Sequence, residues 1–143
     1  MAHLPDNPRL RIVVADDSAD ARDAVKALLE EFVEVDVFEA SSGEECLRIL
    51  RSGKFDALFV DLIMPGKDGF EVLRVLSEGS VARPRFVAAV SGWSDVSGIR
   101  QTAECYGPDA IIGKPFTLDD LQSIISQLAG STVDDDLLDS LLR

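Results

Sequence analysis

Apolar positions along this chain follow two periods, and the periods take turns. Ile12 to Ala15 in "RLRIVVADD" form a short, β-branched apolar run that ends in two aspartates. A continuous run of this kind predicts a strand covered on both faces, as in a parallel sheet. In "SADARDAVKALLEEF", Ala21, Val25, Leu28, Leu29 and Phe32 recur at helical spacing, with Ser18 placed to cap the start. "EVDVFEA" alternates as an outer strand does. "SSGEECLRILRSG" carries Leu47 and Leu50 on one side, a capping serine at its start and Gly53 at its stop. "FDALFVD" predicts a third strand. "GFEVLRVLSE" predicts a third helix with Phe70, Leu73 and Leu76 on one face, and "PRFVAAVSG" a fourth strand. "SDVSGIRQTAECYG" reads as a weaker fourth helix, interrupted by Gly98, and "DAIIGKPF" as a fifth strand that ends in Lys-Pro. In the fifth helix, "TLDDLQSIISQLAG", Leu118, Leu121, Ile125 and Leu128 point one way. Thr117 and Asp120 there fit a capping box. Five strand–helix pairs in strict alternation predict a doubly wound α/β domain with right-handed crossovers.

The organisation that follows is an N-terminal arm over 1–10, one domain over 11–129 and an acidic tail over 130–143. In the tail Val133, Leu137, Leu138 and Leu141 stand at a spacing that would place them on one face of a short helix. It reads either as a frayed acidic end or as a docking or self-association segment, or as the first piece of a linker.

In sheets of this class the site lies just beyond the carboxyl ends of the strands. Strand one ends in Asp16 and Asp17, strand three in Asp61, strand four in Ser91 followed by Gly92, and strand five in Lys114 followed by Pro115. Three carboxylates, a hydroxyl and an ammonium thus converge although they are scattered along the chain. At a separation of 4 Å and an effective dielectric near 20, each carboxylate pair costs about 4 kcal/mol. One lysine cannot neutralise three such groups. A hard divalent cation can, and Mg²⁺ suits carboxylates together with water and phosphoryl oxygens. Asp61 closes an apolar run, "FVDLIMPGKDG", where an unpartnered carboxylate is costly. A carboxylate in this place can act as a nucleophile towards phosphorus and form an aspartyl phosphate. Lys114 and the metal would then stabilise charge on the transferring group, and Ser91 would hydrogen-bond a phosphoryl oxygen. Gly92 has no side chain to block the approach. Taken singly, the Asp16–Asp17 pair reads as a turn or helix cap, Asp61 as a turn residue, and "SG" and "GKPF" mean little; it is their joint placement at one sheet edge that is specific.

Composition narrows the partners. A length of 143 residues suits one domain, and 46% hydrophobic residues suit a packed core rather than a disordered chain. No apolar stretch approaches the roughly 18 residues of a membrane span, and the N-terminus lacks a signal peptide's apolar region. The expectation is a cytoplasmic protein. Cys46 and Cys105 form no metal-ligand pattern and read as reduced thiols. His3 lies in a polar arm and is assigned no chemistry. A net charge of −12 repels nucleic acid and anionic lipid, which argues against direct DNA or membrane binding.

The segments "VVADD", "VDLIMPGKDG", "VSG" and "GKPF" resemble, in order and spacing, the motifs of the receiver domain of two-component response regulators, over about residues 10 to 129. The resemblance implies a five-stranded parallel sheet in the order 2-1-3-4-5, a flavodoxin-like fold with five helices. It implies that Asp61 is the phosphoacceptor, supplied by a histidine kinase or a histidine phosphotransfer protein. It implies Mg²⁺ bound by Asp17, Asp61 and the backbone carbonyl of Ile63, with Asp16 acting mainly through water. Ser91 and Lys114 would contact the phosphoryl group, and the Lys114–Pro115 bond would be cis. Such a domain is a phosphoacceptor signalling protein that catalyses only its own phosphorylation and dephosphorylation. Its downstream protein target would bind the face made by the fourth helix, fifth strand and fifth helix, with a homodimer as a further option.

At the position three residues before the lysine, where receivers usually carry an aromatic switch residue, this chain has Ile111. The expectation is an altered output, passed on by repacking of the fourth helix and fifth strand when Ser91 moves. Ile63 and Trp93 flank the entrance, and neither can orient an attacking water, so slow self-dephosphorylation is expected. Alternatives are a receiver excised from a longer multidomain regulator and, from another class, a Mg²⁺-dependent phosphohydrolase. The latter needs an acid/base beside Asp61, where Leu62 and Ile63 stand instead.

Overall fold

The computed structural model describes residues 9–64, 69–92, 101, 103–114 and 117–132. The elements run β1 (Leu10–Ala15), α1 (Ala19–Phe32), β2 (Val35–Ala40), α2 (Gly43–Arg51), β3 (Ala57–Asp61), α3 (Gly69–Glu78), β4 (Phe86–Ser91), β5 (Ala110–Gly113) and α4 (Leu118–Thr132). All strand pairs are parallel, in the order β2-β1-β3-β4-β5. The fold class and strand order expected from the sequence are those observed. Of the predicted fourth helix, only Gln101, Ala103 and Glu104 are described as helical; the rest, with Gly98, lies outside the described residues. The predicted fifth helix is α4. The arm before Arg9 and the tail beyond Thr132, with Val133, Leu137, Leu138 and Leu141, also lie outside.

Strand alternation divides the core into two layers. Ile12, Val14, Ala57, Phe59, Phe86, Ala88 and Val90 pack with Leu29 of α1 and with Leu121, Ile124 and Leu128 of α4. Val13, Leu58, Val60, Val87 and Ala89 point the other way, against α2 and α3. Strands β3 and β4 are buried at every position, which explains their unbroken apolar runs.

Helix starts are set by short side chains. Ser18 Oγ accepts from the Ala21 N–H, and Ser42 Oγ from the Glu45 N–H. Glu45 reaches back to the Ser41 N–H at 2.6 Å, which holds its carboxyl below the usual range. At α4 the capping box is reciprocal: Asp120 N–H donates to Thr117 Oγ1 and Thr117 N–H to Asp120 Oδ2, both at 3.0 Å.

Three details differ from the sequence reading. Phe32 is 41% exposed, and Leu29 carries the burial of α1. In α4, Ile124 rather than Ile125 is the deeply buried isoleucine. Helix α2 ends on Ser52 in a right-handed conformation, not on a left-handed Gly53. The left-handed stop is at Gly79 after α3, with φ of 83° and its N–H on Leu76 O.

Candidate functional site

Neighbouring strands end almost level. Ala15 pairs with Val60, Asp61 with Val90 and Ser91 with Gly113. Short main-chain bonds continue the ladder past the strand ends: Asp16 N–H to Ala40 O, Leu62 N–H to Val90 O and Lys114 N–H to Ser91 O. The side chains at 16, 61, 91 and 114 therefore reach one rim. Among the described residues, the buried polar set consists of Asp16, Asp61 and Ser91, and all three lie at that rim. Burial of polar side chains in one place marks it as more than a turn.

Lys114 is the cation of this cluster. Its Nζ lies 2.6 Å from Asp16 Oδ2 and 2.9 Å from Asp61 Oδ2. The remaining oxygens are also committed. Asp61 Oδ1 accepts from the Ile63 N–H at 3.0 Å, and Asp16 Oδ1 from the Ser18 N–H at 2.9 Å. Asp17 is exposed, and its carboxylate reaches the same place. One oxygen each from Asp16, Asp17 and Asp61 lie within 4.8 Å of one another. Among the described residues, three carboxylates against one ammonium leave the cluster anionic.

The titration directions follow from this crowding. Burial raises the Asp61 carboxyl, Lys114 and the Ile63 N–H pull it down, and Asp16 pushes it up again; the net direction is upward. Burial lowers Lys114, but its bonds to Asp16 and Asp61 outweigh that and hold it above its usual value. Asp61 is thus a carboxylate whose charge is incompletely compensated by the protein itself. Hard oxygen donors in such a cluster fit a small divalent cation.

The other expected site residues are placed as follows. Ile63 lies two residues beyond the end of β3 and is 48% exposed at the rim. At Gly92 a β-carbon would meet, among the described residues, Lys114 Cδ at 3.8 Å. Ile111 is half-buried and packs on the α2–α3 side of the core. Trp93 and Pro115 lie outside the described residues.

Two supporting residues did not stand out in the sequence. A β-carbon on Gly69, the first residue of α3, would lie 2.1 Å from the Asp61 carbonyl oxygen. This close approach is the physical need for glycine in "PGKDG". Arg22 donates to the Asp16 carbonyl at 2.6 Å and to Glu39 at 3.1 Å. Its place one turn after the Ser18 cap was the available signal.

The family model described as response regulator receiver domain matches residues 12–126. The chain is 37% identical over 108 residues to protein-glutamate methylesterase/protein-glutamine glutaminase 3 of Geobacter sulfurreducens, covering 75% of this chain and 28% of that protein. It is 29% identical over 119 residues to the chemotaxis protein CheY of Pseudomonas aeruginosa, covering 83% and 95%. Three of the curated relatives are matched over about half of their length or less. Among solved structures, the receiver domain of sensor histidine kinase PA1611 from Pseudomonas aeruginosa, with a magnesium ion coordinated in its active-site cleft, superposes with a TM-score of 0.75. That pair shares 21% identity and covers 85% of this chain and 98% of that one, a likeness of fold. With the strand order, the buried acidic rim and the family model over most of its length in agreement, this chain belongs to the response regulator receiver domain family of two-component signalling.

Proposed function

We propose that Asp61 accepts a phosphoryl group in a Mg²⁺-dependent reaction and that the phosphorylated form signals by binding another protein. One observation carries this reading: the buried Asp61 carboxylate shares Lys114 with Asp16 and lies in a cluster with Asp17. A carboxylate oxygen of Asp61 attacks phosphorus on a phosphohistidine of a kinase or phosphotransfer protein. The O–P bond forms as the N–P bond breaks, and the departing imidazole takes up a proton. Asp17, Asp61 and the Ile63 carbonyl would hold Mg²⁺, with Asp16 mainly through water. The clustering of Asp16, Asp17 and Asp61 oxygens supports a cation there; the PA1611 receiver, of the same fold, holds magnesium in its active-site cleft. When bound, Mg²⁺ supplies positive charge for the phosphoryl oxygens.

The chain's own groups do the rest. Lys114 already sits at Asp61 Oδ2, so its ammonium meets the new charge without a large excursion. Ser91 ends the adjacent strand and offers its hydroxyl to a phosphoryl oxygen. Its movement would be passed to Ile111 on β5 and to the fourth predicted helix, and the output face is the one the family resemblance assigns to the fourth helix, the fifth strand and the fifth helix. The histidine kinase or phosphotransfer protein, the downstream target and a homodimer through that face are parts of the same proposal, as is the reading of residues 130–143 as tail or linker.

The test is to supply a small phosphodonor with Mg²⁺ and follow the label. About one equivalent should remain on the wild-type chain and none on Asp61→Asn. Sustained turnover of many phosphate esters would replace this reading with that of a phosphohydrolase.

A further inference from the structure

Arg22, in the first turns of α1, stands beside an acidic cluster, yet its guanidinium pairs with none of the three clustered carboxylates. Nη1 donates to the main-chain oxygen of Asp16 at 2.6 Å, and Nε donates to Glu39 Oε1 at 3.1 Å. Its side chain is only 16% exposed. Glu39 sits on β2 opposite Val14, so one guanidinium joins α1, the exit of β1 and the edge strand.

The carbonyl that Arg22 holds belongs to the peptide leading into Asp17. That peptide is planar, so fixing its oxygen fixes the direction in which the chain enters Asp17. Asp16 has other anchors: its N–H on Ala40 O, its Oδ1 on Ser18 and its Oδ2 on Lys114. Asp17 is exposed, and among the described residues no hydrogen bond or ion pair holds its carboxylate. Its aim depends on the main chain.

We infer that Arg22, anchored by Glu39, is a positioning residue of the metal site: it sets the Asp16–Asp17 peptide so that the Asp17 carboxylate faces Asp61. The inference rests on the proposed Mg²⁺ reading of the cluster. Removing Arg22 has two effects of opposite sign, so the sign of the change in Mg²⁺ affinity separates them. By charge alone, losing a cation beside three carboxylates tightens Mg²⁺ binding. By positioning, it loosens binding, as loss of an outer-shell partner usually does by about tenfold or more.

The experiment measures the Mg²⁺ dissociation constant by calorimetry for wild type, Asp17→Asn, Arg22→Ala and Arg22→Lys, with thermal melting in EDTA alongside. The expected result is roughly tenfold weaker binding in Arg22→Ala. Arg22→Lys should also bind several-fold more weakly, because one ammonium cannot reproduce a planar fork to two acceptors. Arg22→Ala binding Mg²⁺ as tightly as wild type, or more tightly, overturns the inference. Should that variant not fold in EDTA, Arg22→Lys, which keeps the charge, decides in its place: wild-type affinity there overturns the inference equally. Equal binding by wild type and Asp17→Asn would instead sink the Mg²⁺ site itself, leaving the two failures distinct.

Discussion

Gly69 and Asp61 touch through their main chains: the first residue of α3 lies so close to the end of β3 that a β-carbon at 69 would stand 2.1 Å from the Asp61 carbonyl oxygen. The start of the third helix and the placement of the Asp61 carboxylate are therefore one geometric problem. Gly69→Ala must push the two segments apart. Its stability should fall by about 1–3 kcal/mol, as for an overpacked core site. Mg²⁺ affinity should fall with it, because the Asp61 main chain moves. Chemical denaturation and calorimetry on the same variant check both; an unchanged midpoint and unchanged affinity would show that the contact is slack.

Lys114 holds two buried carboxylates, so Lys114→Ala leaves both without their shared cation. The metal-free variant should lose roughly 1–3 kcal/mol, less than for a fully buried pair because the Lys114 side chain is 30% exposed. Added Mg²⁺ should raise its melting temperature more than that of wild type, since the cation replaces the missing charge. Differential scanning calorimetry with and without Mg²⁺ decides; equal shifts would show that lysine and metal do not share a role.

The raised Asp61 carboxyl has a pH signature. An acid that is harder to ionise in the folded chain destabilises the fold when ionised. That penalty is complete above its folded value and gone below the usual aspartate value of about 3.9. Asp61→Asn without metal should therefore be more stable than wild type at pH 7, with the gap closing as the pH falls through that window. Lys114 runs the other way: its raised value stabilises the fold below the ordinary lysine range and is lost as the pH rises through the folded value. Melting curves across pH for both chains give the sign. A less stable Asp61→Asn at pH 7 would contradict that direction.

The two thiols are separated by burial. Cys46 is buried, which pushes its thiol up to about 12, whereas Cys105 is exposed. A thiol reagent at pH 8 should titrate one cysteine in the native protein and two after unfolding. Two fast thiols in the native state would mean that the α2 layer opens readily.

Ile63 is 48% exposed at the rim and offers no polar atom on its side chain. In the proposed cycle Ile63→Asn gives an attacking water a hydrogen-bond partner, so loss of label from phosphorylated Asp61 should quicken several-fold. Unchanged decay, measured by release of phosphate, would remove Ile63 from the control of lifetime.

Periodicity and strand ends carried most of the architecture. Unbroken apolar runs at 12–15 and 57–60, helical stripes between them and caps at Ser18, Ser42 and Thr117 are set by local backbone geometry, which is why they were readable in order. Because strands of such a sheet end at one rim, Asp16, Asp17, Asp61, Ser91 and Lys114 could be brought together from their places in the chain alone. The partnerships within that rim could not. That Lys114 stands nearer to Asp16 than to Asp61, that Arg22 takes a main-chain oxygen rather than a carboxylate, and that Gly69 presses on Asp61 are contacts between segments far apart in the chain or across a turn. The exposure of Phe32 and the depth of Ile124 belong with them. Sequence pattern determines which face of an element is apolar; where the element stops against its neighbours, and which of several close charges each donor reaches, is decided only when the packed layers fix distances to a few tenths of an ångström.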